Sequence, residues 1–517
     1  MKNKLAGPAA ARPLLLVFVS LLIAGCASDT ASVDSAEARS GFDLVIRHAT
    51  LVSPEREAPL ENAWIAIAGG RIASIGRETE GAPEAERVLD ANGGFVTPGL
   101  IDAHVHLASV PGIPLPPPAP LEPLVEVYQR QLPKSYLYFG FTTLIDLNVV
   151  DPEPIRRMRG ANLAPDVYDC GGALALANGY PMAFLPPAVA FDLYPNFLWD
   201  PRQAERIPRR FRPEDHAPAT AVERVAAGGA ICVKVFAEDG FGPVKRWPTP
   251  TAEMVREIVA AGHRHGLTVS LHANSYEFHR FATETGADVV VHGMWNWDGL
   301  AVPEGGGLPQ EIRQVLDQEI AQKIGVMPTA RVMSGLQAMF DPAFLDDPQL
   351  TAVLPAALID WYRSADGKWF REELRNDFGG APDERVRAAL GGGIAQGAAV
   401  IDHLARHGGR LLFGSDTPSS PTYGNPPGYN GFLEMRELTR AGMTPAQIFR
   451  AATLENARAF HLEDRLGTVE PGKTAHLLVL RQNPLNSVEA YDSLATVIVR
   501  GRPVKRSQLA ANGPSGE

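Results

Sequence analysis

The chain has 517 residues, of which 45% are hydrophobic and 21% are charged, and its formal net charge at pH 7 is −11. This composition is typical of a soluble globular protein, and the length allows one large α/β domain with a smaller one. An acidic chain lacks the basic surface that neutralises phosphates, so the composition excludes non-specific nucleic-acid binding and predicts no nucleic-acid partner.

Residues 1–25 have the pattern of an export signal. Basic residues precede an apolar run from Leu14 to Ile23, which is too short to cross a bilayer as a helix. The run ends in Ile23-Ala24-Gly25-Cys26, which resembles the lipobox of bacterial lipoproteins, where the cysteine is acylated. An ordinary secretory signal with an incidental cysteine is the alternative.

The lipobox resemblance implies that a lipid on Cys26 is the only membrane attachment. Because Ala27 follows in place of an aspartate, it also implies the outer membrane of a Gram-negative bacterium, with the protein facing the periplasm. Residues 26–41 are rich in Ser, Ala and Asp and are expected to form a flexible tether. We expect Cys170 and Cys232 to be core thiols, since two cysteines are too few for a disulfide framework.

Strand patterns occur at both ends of the globular part, in residues 42–97 and 466–505. Apolar runs in the first range are separated by a turn at Gly69–Gly70, and a second turn is predicted at Gly501. These patterns indicate antiparallel pairing, and we expect both chain ends to form one small β-sandwich. Residues 506–517 are left as a tail.

Residues 98–465 alternate short β-rich runs with helical segments, which is the pattern of parallel β/α units. The fold class is therefore α/β, and the eight candidate strands are the number that a (β/α)₈ TIM-like barrel needs. The candidate strands are 100–106, 142–148, 166–170, 230–236, 267–273, 288–293, 324–329 and 410–416. Helix starts are predicted at Thr249-Pro250 and at the Thr444–Gln447 capping box.

Three connections after predicted strands are longer than a barrel requires, namely 108–120, 174–218 and 331–395. Loops after barrel strands lie over the C-terminal face, where barrel sites occur. We expect these segments to form a lid or a substrate pocket. Surface elaboration or a partner-docking surface is the alternative.

Ligand-type residues occur at equivalent positions, at the ends of five predicted strands. In a strand, alternate side chains share a face, so the first two histidines of the set point the same way. Imidazole nitrogens and carboxylate oxygens bind divalent metals, and these strand ends meet at one point above a barrel. The candidate ligands are His104, His106, Lys234, His272, His292 and Asp416.

Two further histidine pairs occur before predicted strands, at the opposite rim of a barrel. These are His263 with His265 and His403 with His407. We expect both pairs to be surface histidines.

Three stretches resemble signatures of the amidohydrolase superfamily. They are Val96-Thr-Pro-Gly-Leu-Ile-Asp-Ala-His-Val-His106, Ala287-Asp-Val-Val-Val-His-Gly293 and the run from Leu466 to Leu480. The resemblance extends from about Asp43 to Val504 and implies a barrel flanked by a sandwich that both termini form.

Lys234 implies the two-metal class of this superfamily, in which the lysine is carboxylated by CO₂ and bridges the ions. A lysine that extends its amine toward solvent or pairs with Asp416 is the alternative. The resemblance implies two divalent ions, with zinc expected, and Asp416 as the catalytic proton acceptor. It assigns His104, His106, Lys234 and Asp416 to one ion, and Lys234, His272 and His292 to the other.

The lysine-bearing members resemble Xaa-Pro dipeptidases and related amide hydrolases, which implies that a metal-activated water hydrolyses an amide-type C–N bond in a small molecule. Tyr180 stands where those members often have a histidine, so dipeptide specificity is in doubt. Ester or lactone hydrolysis at the same metals is the first alternative, and a non-catalytic ligand- or partner-binding lipoprotein is the second. A deaminase is disfavoured because Ala273-Asn274-Ser275 lacks the expected glutamate.

Overall fold

The computed structural model describes residues 41–241 and 246–512. The predicted signal, Cys26 and all but the last residue of the predicted tether lie outside the described residues, as do the last five residues of the tail. Within the described ranges, no helix has both the length and the apolar character that a membrane span requires.

The described residues contain sixteen β-strands and fifteen α-helices. The strands are β1 (Leu44–Leu51), β2 (Leu60–Ala68), β3 (Arg71–Arg77), β4 (Val88–Asp90), β5 (Phe95–Pro98), β6 (Leu100–Val105), β7 (Phe141–Asp146), β8 (Asp166–Asp169), β9 (Cys232–Phe236), β10 (Thr268–His272), β11 (Val289–Val291), β12 (Gly325–Met327), β13 (Arg410–Leu411), β14 (Leu477–Leu480), β15 (Leu494–Val499) and β16 (Arg502–Lys505). The helices are α1 (Glu122–Tyr138), α2 (Glu153–Gly160), α3 (Pro187–Leu193), α4 (Pro218–Ala227), α5 (Ala252–Arg264), α6 (Tyr276–Thr285), α7 (Gln310–Gln322), α8 (Arg331–Ala338), α9 (Pro348–Val353), α10 (Ala356–Arg363), α11 (Trp369–Asp377), α12 (Asp383–His407), α13 (Tyr429–Arg440), α14 (Pro445–Arg450) and α15 (Asn456–Ala459).

The two chain ends combine in one mixed sheet of eight strands, in which β4 pairs with β1 and the others follow the order β16-β15-β14-β5-β1-β2-β3. The antiparallel pair of β14 and β5 joins the ends, with Leu478 opposite Thr97. Apolar side chains from both ends, among them Ile65, Val96 and Leu477, are buried in one core. The predicted association of the ends is present, but as one continuous sheet, because β14 extends the edge at β5.

The eight strands predicted for the barrel all occur, and they pair in parallel as two sheets, β6-β7-β8 and β13-β12-β11-β10-β9. Residues of β6, β9 and β10 are fully buried, as expected for parallel strands that are covered on both faces. Between the sheets, the described residues form isolated bridges, such as Leu174 with Val235 and Val105 with Thr417, and single backbone hydrogen bonds, such as the one from the amide of Ile231 to the carbonyl of Asp169 at 2.9 Å. The strand pairing therefore shows no closed barrel, and closure stays a prediction.

The observed strands end earlier than predicted. His292 and Asp416, which follow β11 and β13, have φ angles of 90° and 51°. A positive φ is incompatible with a continuing extended strand, so the chain leaves the sheet before these residues.

Helix α5 begins two residues later than the sequence predicts. Thr251 is its N-cap, and its hydroxyl accepts a hydrogen bond from the amide of Met254 at 3.2 Å. The predicted cap, Thr249, lies two residues before the observed one, because threonines with a hydroxyl suited to capping stand on both sides of Pro250. The capping box of Thr444 and Gln447 at α14 is confirmed.

Cys170 and Cys232 form a disulfide bond, so the prediction of two core thiols is wrong. Cys170 follows β8 and Cys232 begins β9, and the bond therefore joins the facing edges of the two parallel sheets. The cysteines are 62 residues apart in sequence, and only the adjacency of these strand ends brings them together.

The long connections are packed structures. The hydroxyl of Tyr362, a fully buried residue of α10, donates to the carbonyl of Pro111. The indole of Trp369 in α11 donates to the carbonyl of Gly112 at 2.8 Å. These two hydrogen bonds fix the 331–395 segment to the 108–120 segment. The role of the 331–395 segment as a lid stays a prediction.

Candidate metal centre

The candidate ligands lie at one end of the two parallel sheets. His104 is in β6 and His272 is the last residue of β10, paired with Val291 of β11, which His292 directly follows. Lys234 lies within β9, opposite Ser270. Because parallel strands end on the same side, their C-terminal residues can meet.

One half of the cluster consists of His104, His106 and Asp416. The Nε2 atoms of the two histidines are 3.2 Å apart. Oδ1 of Asp416 lies 3.2 Å from Nε2 of His104 and 3.0 Å from Nε2 of His106. The three side chains therefore direct two ring nitrogens and a carboxylate oxygen at one point.

The other half consists of His272 and His292. Nδ1 of His272 lies 2.9 Å from Nε2 of His292, while Nδ1 of His292 contacts the hydroxyl of Thr329 at 2.9 Å. Oδ2 of Asp416 is 3.7 Å from Nδ1 of His292, which connects the halves. Potential ligand atoms of His104, His292 and Asp416 all lie within 4.8 Å of one another.

Lys234 is the unusual member of the set, because it is 1% exposed. Its Nζ has no hydrogen-bond partner among the described residues. Burial lowers the pKa of Lys234 to about 7, although the charge of Asp416 opposes this change. A neutral amine is the form that reacts with CO₂, and a carbamate on metal would supply the interactions that this buried nitrogen lacks.

The buried histidines are held in the form that binds metal. Burial lowers the pKa of His104, His272 and His292 well below the usual value, and the charge of Lys234 lowers each pKa further. Neutral imidazole is the ligand form, so the donor set fits divalent metal ions.

A family model confirms what these residues suggest, because the model described as the amidohydrolase family matches residues 95–305 and 385–504. The chain belongs to the amidohydrolase family. The predicted superfamily is thereby confirmed.

Allantoinases of several Salmonella strains match a short segment of this amidohydrolase. The allantoinase of Salmonella choleraesuis (strain SC-B67) is 48% identical over 71 residues, which is 14% of each chain. The chain thus matches a small part of these relatives' length.

Solved structures match nearly the whole amidohydrolase chain. A Xaa-Pro dipeptidase with bound methionine has a TM-score of 0.63 and 19% identity, over 89% of this chain and 99% of its own. The ochratoxinase of A. niger has a TM-score of 0.62 and 19% identity, over 93% and 97%. Molinate hydrolase has a TM-score of 0.61 and 19% identity, over 92% and 97%. At this identity the likeness shows a shared TIM-barrel-like α/β fold with a sheet domain, and no more.

Glu238 is a residue of this amidohydrolase site that the sequence analysis missed. It is 2% exposed, and its Oε2 lies 3.4 Å from Nε2 of His272 and accepts a hydrogen bond from Asn274 at 2.6 Å. Its Oε1 accepts a hydrogen bond from the amide of Gly240 at 2.8 Å. The carboxylate thus occupies one nitrogen of His272 while the other faces His292. The only sequence signal was an acidic residue four positions after Lys234.

Two buried aspartates fix the backbone around the first histidines. Asp102 accepts hydrogen bonds from the amides of His104 at 3.3 Å and Ser415 at 2.9 Å, and burial raises its pKa to about 7. Asp146, at the end of β7, accepts a hydrogen bond from the amide of Leu107 at 2.9 Å, and burial raises the pKa of Asp146. These bonds connect the segment carrying His104 to the segment carrying Asp416 and to β7.

Three residues around the candidate site have left-handed backbone conformations. The φ angles are 90° for His292, 45° for Thr329 and 51° for Asp416. A positive φ is strained for residues other than glycine, most of all for a β-branched threonine, and strain of this kind concentrates at functional sites.

The other histidine pairs lie outside the cluster. His263 contacts Asp288 at 3.0 Å and His403 contacts Asp317 at 3.2 Å, and His265 and His407 are exposed. His263, His265 and His407 are exposed, as predicted, whereas the side chain of His403 is only 11% exposed.

Proposed function

We propose that this protein is a metal-dependent hydrolase that cleaves an amide-type C–N bond, in a non-macrocyclic peptide or an N-acyl compound, with a metal-activated water. The observation that carries the proposal is the convergence of His104, His292 and Asp416 in a member of the amidohydrolase family. Relatives and neighbours whose names denote C–N hydrolysis, the Xaa-Pro dipeptidase and the allantoinase, support it at a coarse level.

The proposed metal content is two divalent ions, with zinc as the metal. One ion is assigned to His104, His106, Lys234 and Asp416, and the other to Lys234, His272 and His292. The short distances within each half of the cluster support this division. When bound, such ions supply Lewis acidity, which lowers the pKa of water and polarises a carbonyl.

Lys234 is proposed to be carboxylated. Its neutral amine would form a bond to the carbon of CO₂ and release one proton, and the resulting carbamate would supply oxygen ligands for the ions. Burial of the amine and its lack of a hydrogen-bond partner among the described residues support this modification.

Asp416 is proposed to move the proton. Its Oδ1 contacts Nε2 of both His104 and His106, while its Oδ2 faces Nδ1 of His292. A carboxylate in this position accepts the proton of the attacking water and donates it to the leaving nitrogen. The oxygen of the water bonds to the carbonyl carbon, the C–N bond breaks, and an acid and an amine are released.

We propose that the protein is exported and held by a lipid on Cys26 at the outer membrane, facing the periplasm. The disulfide of Cys170 and Cys232 supports export, because disulfides persist in oxidising compartments such as the periplasm. Fractionation of cells that express Cys26→Ala tests the anchor. Loss of the variant from the membrane fraction is expected, and retention there would contradict lipid anchoring.

A substrate panel tests the reaction. Zinc-loaded protein is offered dipeptides, N-acyl amino acids, aryl esters and lactones, and product amine or acid is measured, with Asp416→Asn as the inactive control. Hydrolysis of at least one amide, abolished in Asp416→Asn, is expected. Activity on esters or lactones alone would overturn the amide assignment, and no activity in fully metal-loaded protein would contradict the proposed function.

A further inference from the structure

Four aromatic side chains, Tyr180, Phe184, Phe241 and Trp247, form an aromatic cluster next to the candidate metal centre. The ring of Tyr180 lies 5.8 Å from Phe184, 5.3 Å from Phe241 and 5.7 Å from Trp247. Phe184 and Trp247 are 5.0 Å apart. These are the separations of interacting aromatic rings, and the residues come from the segments that follow β8 and β9.

The aromatic cluster is continuous with the candidate ligands. The ring of Tyr180 lies 5.0 Å from that of His272, and Phe236 contacts both rings at 5.4 and 5.5 Å. Burial raises the pKa of Tyr180 well above its usual value, and the charges of Asp416 and Glu238 raise it further. Tyr180 therefore keeps its proton and links the cluster to the charged groups.

Two members of the aromatic cluster are open to solvent. Phe184 is 60% exposed and Phe241 is 57% exposed, whereas the other exposed large hydrophobic residues, such as Val88 and Phe378, are not in the cluster. Exposed apolar area is unfavourable in water by about 25 cal/mol per Å². Contiguous exposed aromatic surface beside a polar site is typical of a ligand-binding surface.

We propose that the aromatic cluster binds an aromatic substituent of the substrate next to the bond that is cleaved. The inference rests on the proposed function, which it extends from amides in general to amides that carry an aryl group. A flat ring of the substrate would stack against, or meet edge-on, the exposed rings of Phe184 and Phe241 and the half-buried indole of Trp247. Its scissile carbonyl would then lie on the side of His272.

The test uses two substrate pairs that differ by one aromatic ring, N-benzoylglycine against N-acetylglycine and N-acetylphenylalanine against N-acetylalanine. These pairs place the ring on either side of the amide. The ratio of kcat/KM for the aromatic and the small member is measured in wild type, Phe184→Ala and Trp247→Ala. Phe378→Ala, which removes an exposed phenylalanine outside the aromatic cluster, is the matched control.

In at least one pair, wild type is expected to prefer the aromatic member, and Phe184→Ala and Trp247→Ala are expected to reduce that preference about tenfold. Phe184→Leu, which keeps apolar volume without a ring, is expected to fall between wild type and Phe184→Ala. An unchanged preference in both alanine variants, with melting temperatures like that of wild type, would overturn the inference. So would the same loss of preference in Phe378→Ala.

Calorimetry separates failure of this inference from failure of the proposed function. If wild type hydrolyses none of the four compounds, their binding to the metal-loaded protein is measured directly. Tighter binding of the aromatic members, lost in Phe184→Ala, supports the aromatic cluster as a binding surface even when the reaction is another one. Equal binding within both pairs overturns it.

Discussion

Oε2 of Glu238 lies 3.4 Å from Nε2 of His272, and Nδ1 of the same ring lies 2.9 Å from Nε2 of His292. With the proton of His272 on Nε2, the carboxylate accepts it and the Nδ1 lone pair faces His292. Such carboxylate–histidine pairs orient metal ligands and increase their basicity. The bonds from Asn274 and Gly240 hold the carboxylate in place.

Replacing Glu238 should therefore weaken metal binding without removing a proposed ligand. For Glu238→Ala we expect a loss of about 10- to 100-fold in zinc affinity, measured by competition with a chelator, and a smaller loss for Glu238→Gln. Glu257→Gln, a change of an exposed glutamate on α5, is the control. Wild-type zinc affinity in Glu238→Ala would contradict the positioning role.

Asp166 connects the terminal sheet to the three-stranded parallel sheet, and it should make stability depend on pH. Burial raises the pKa of this carboxyl, but the opposing hydrogen bonds and charges of His476 and Arg500 outweigh it and lower the pKa to about 2. A lowered folded-state pKa stabilises the fold above the unfolded value near 4, and this stabilisation is lost as pH falls through about 2.

Asp166→Asn should consequently reduce the free energy of unfolding at pH 7 by about 2 kcal/mol. The difference in free energy of unfolding between the variant and wild type should become smaller as pH falls from about 4 to about 2. Asp377→Asn, at an exposed position at the end of α11, should show no such narrowing. A difference that stays constant over this range would show that Asp166 does not act through its charge.

The disulfide between Cys170 and Cys232 can be tested by counting free thiols. In a Cys26→Ala background, denatured and unreduced protein should contain no free thiol and reduced protein two. The Cys170→Ala/Cys232→Ala variant should lose about 2–4 kcal/mol of stability in chemical denaturation, since the bond restricts the unfolded chain. Two reactive thiols without reductant would show that the bond does not form.

Much of the candidate site could be predicted because its residues stand at regular positions in local patterns. His104, His272 and Asp416 each follow a short apolar run, and alternation along a strand places His104 and His106 on one face. The parallel strands then bring these residues to one end of the fold. This convergence can be predicted from the strand order alone, without knowing how the side chains pack.

The features that could not be predicted depend on contacts between residues that are distant in the sequence. Glu238 lies two residues after the end of β9, and its partner His272 is 34 residues away, so no local pattern links them. The disulfide likewise depends on which strand edges face each other. Thr249 and Thr251 both carry a hydroxyl that can cap a helix, and boundary signals in sequence do not separate two such neighbours.

Lys234 is proposed to complete a two-metal site. Elemental analysis of protein purified with zinc and bicarbonate tests it most directly, with Lys234→Ala as the variant and Lys134→Ala, which removes an exposed lysine on α1, as the control. About two ions per chain are expected in wild type and in Lys134→Ala, and one or fewer in Lys234→Ala. Less than about one ion per chain in wild type, or an unchanged content in Lys234→Ala, would contradict the account.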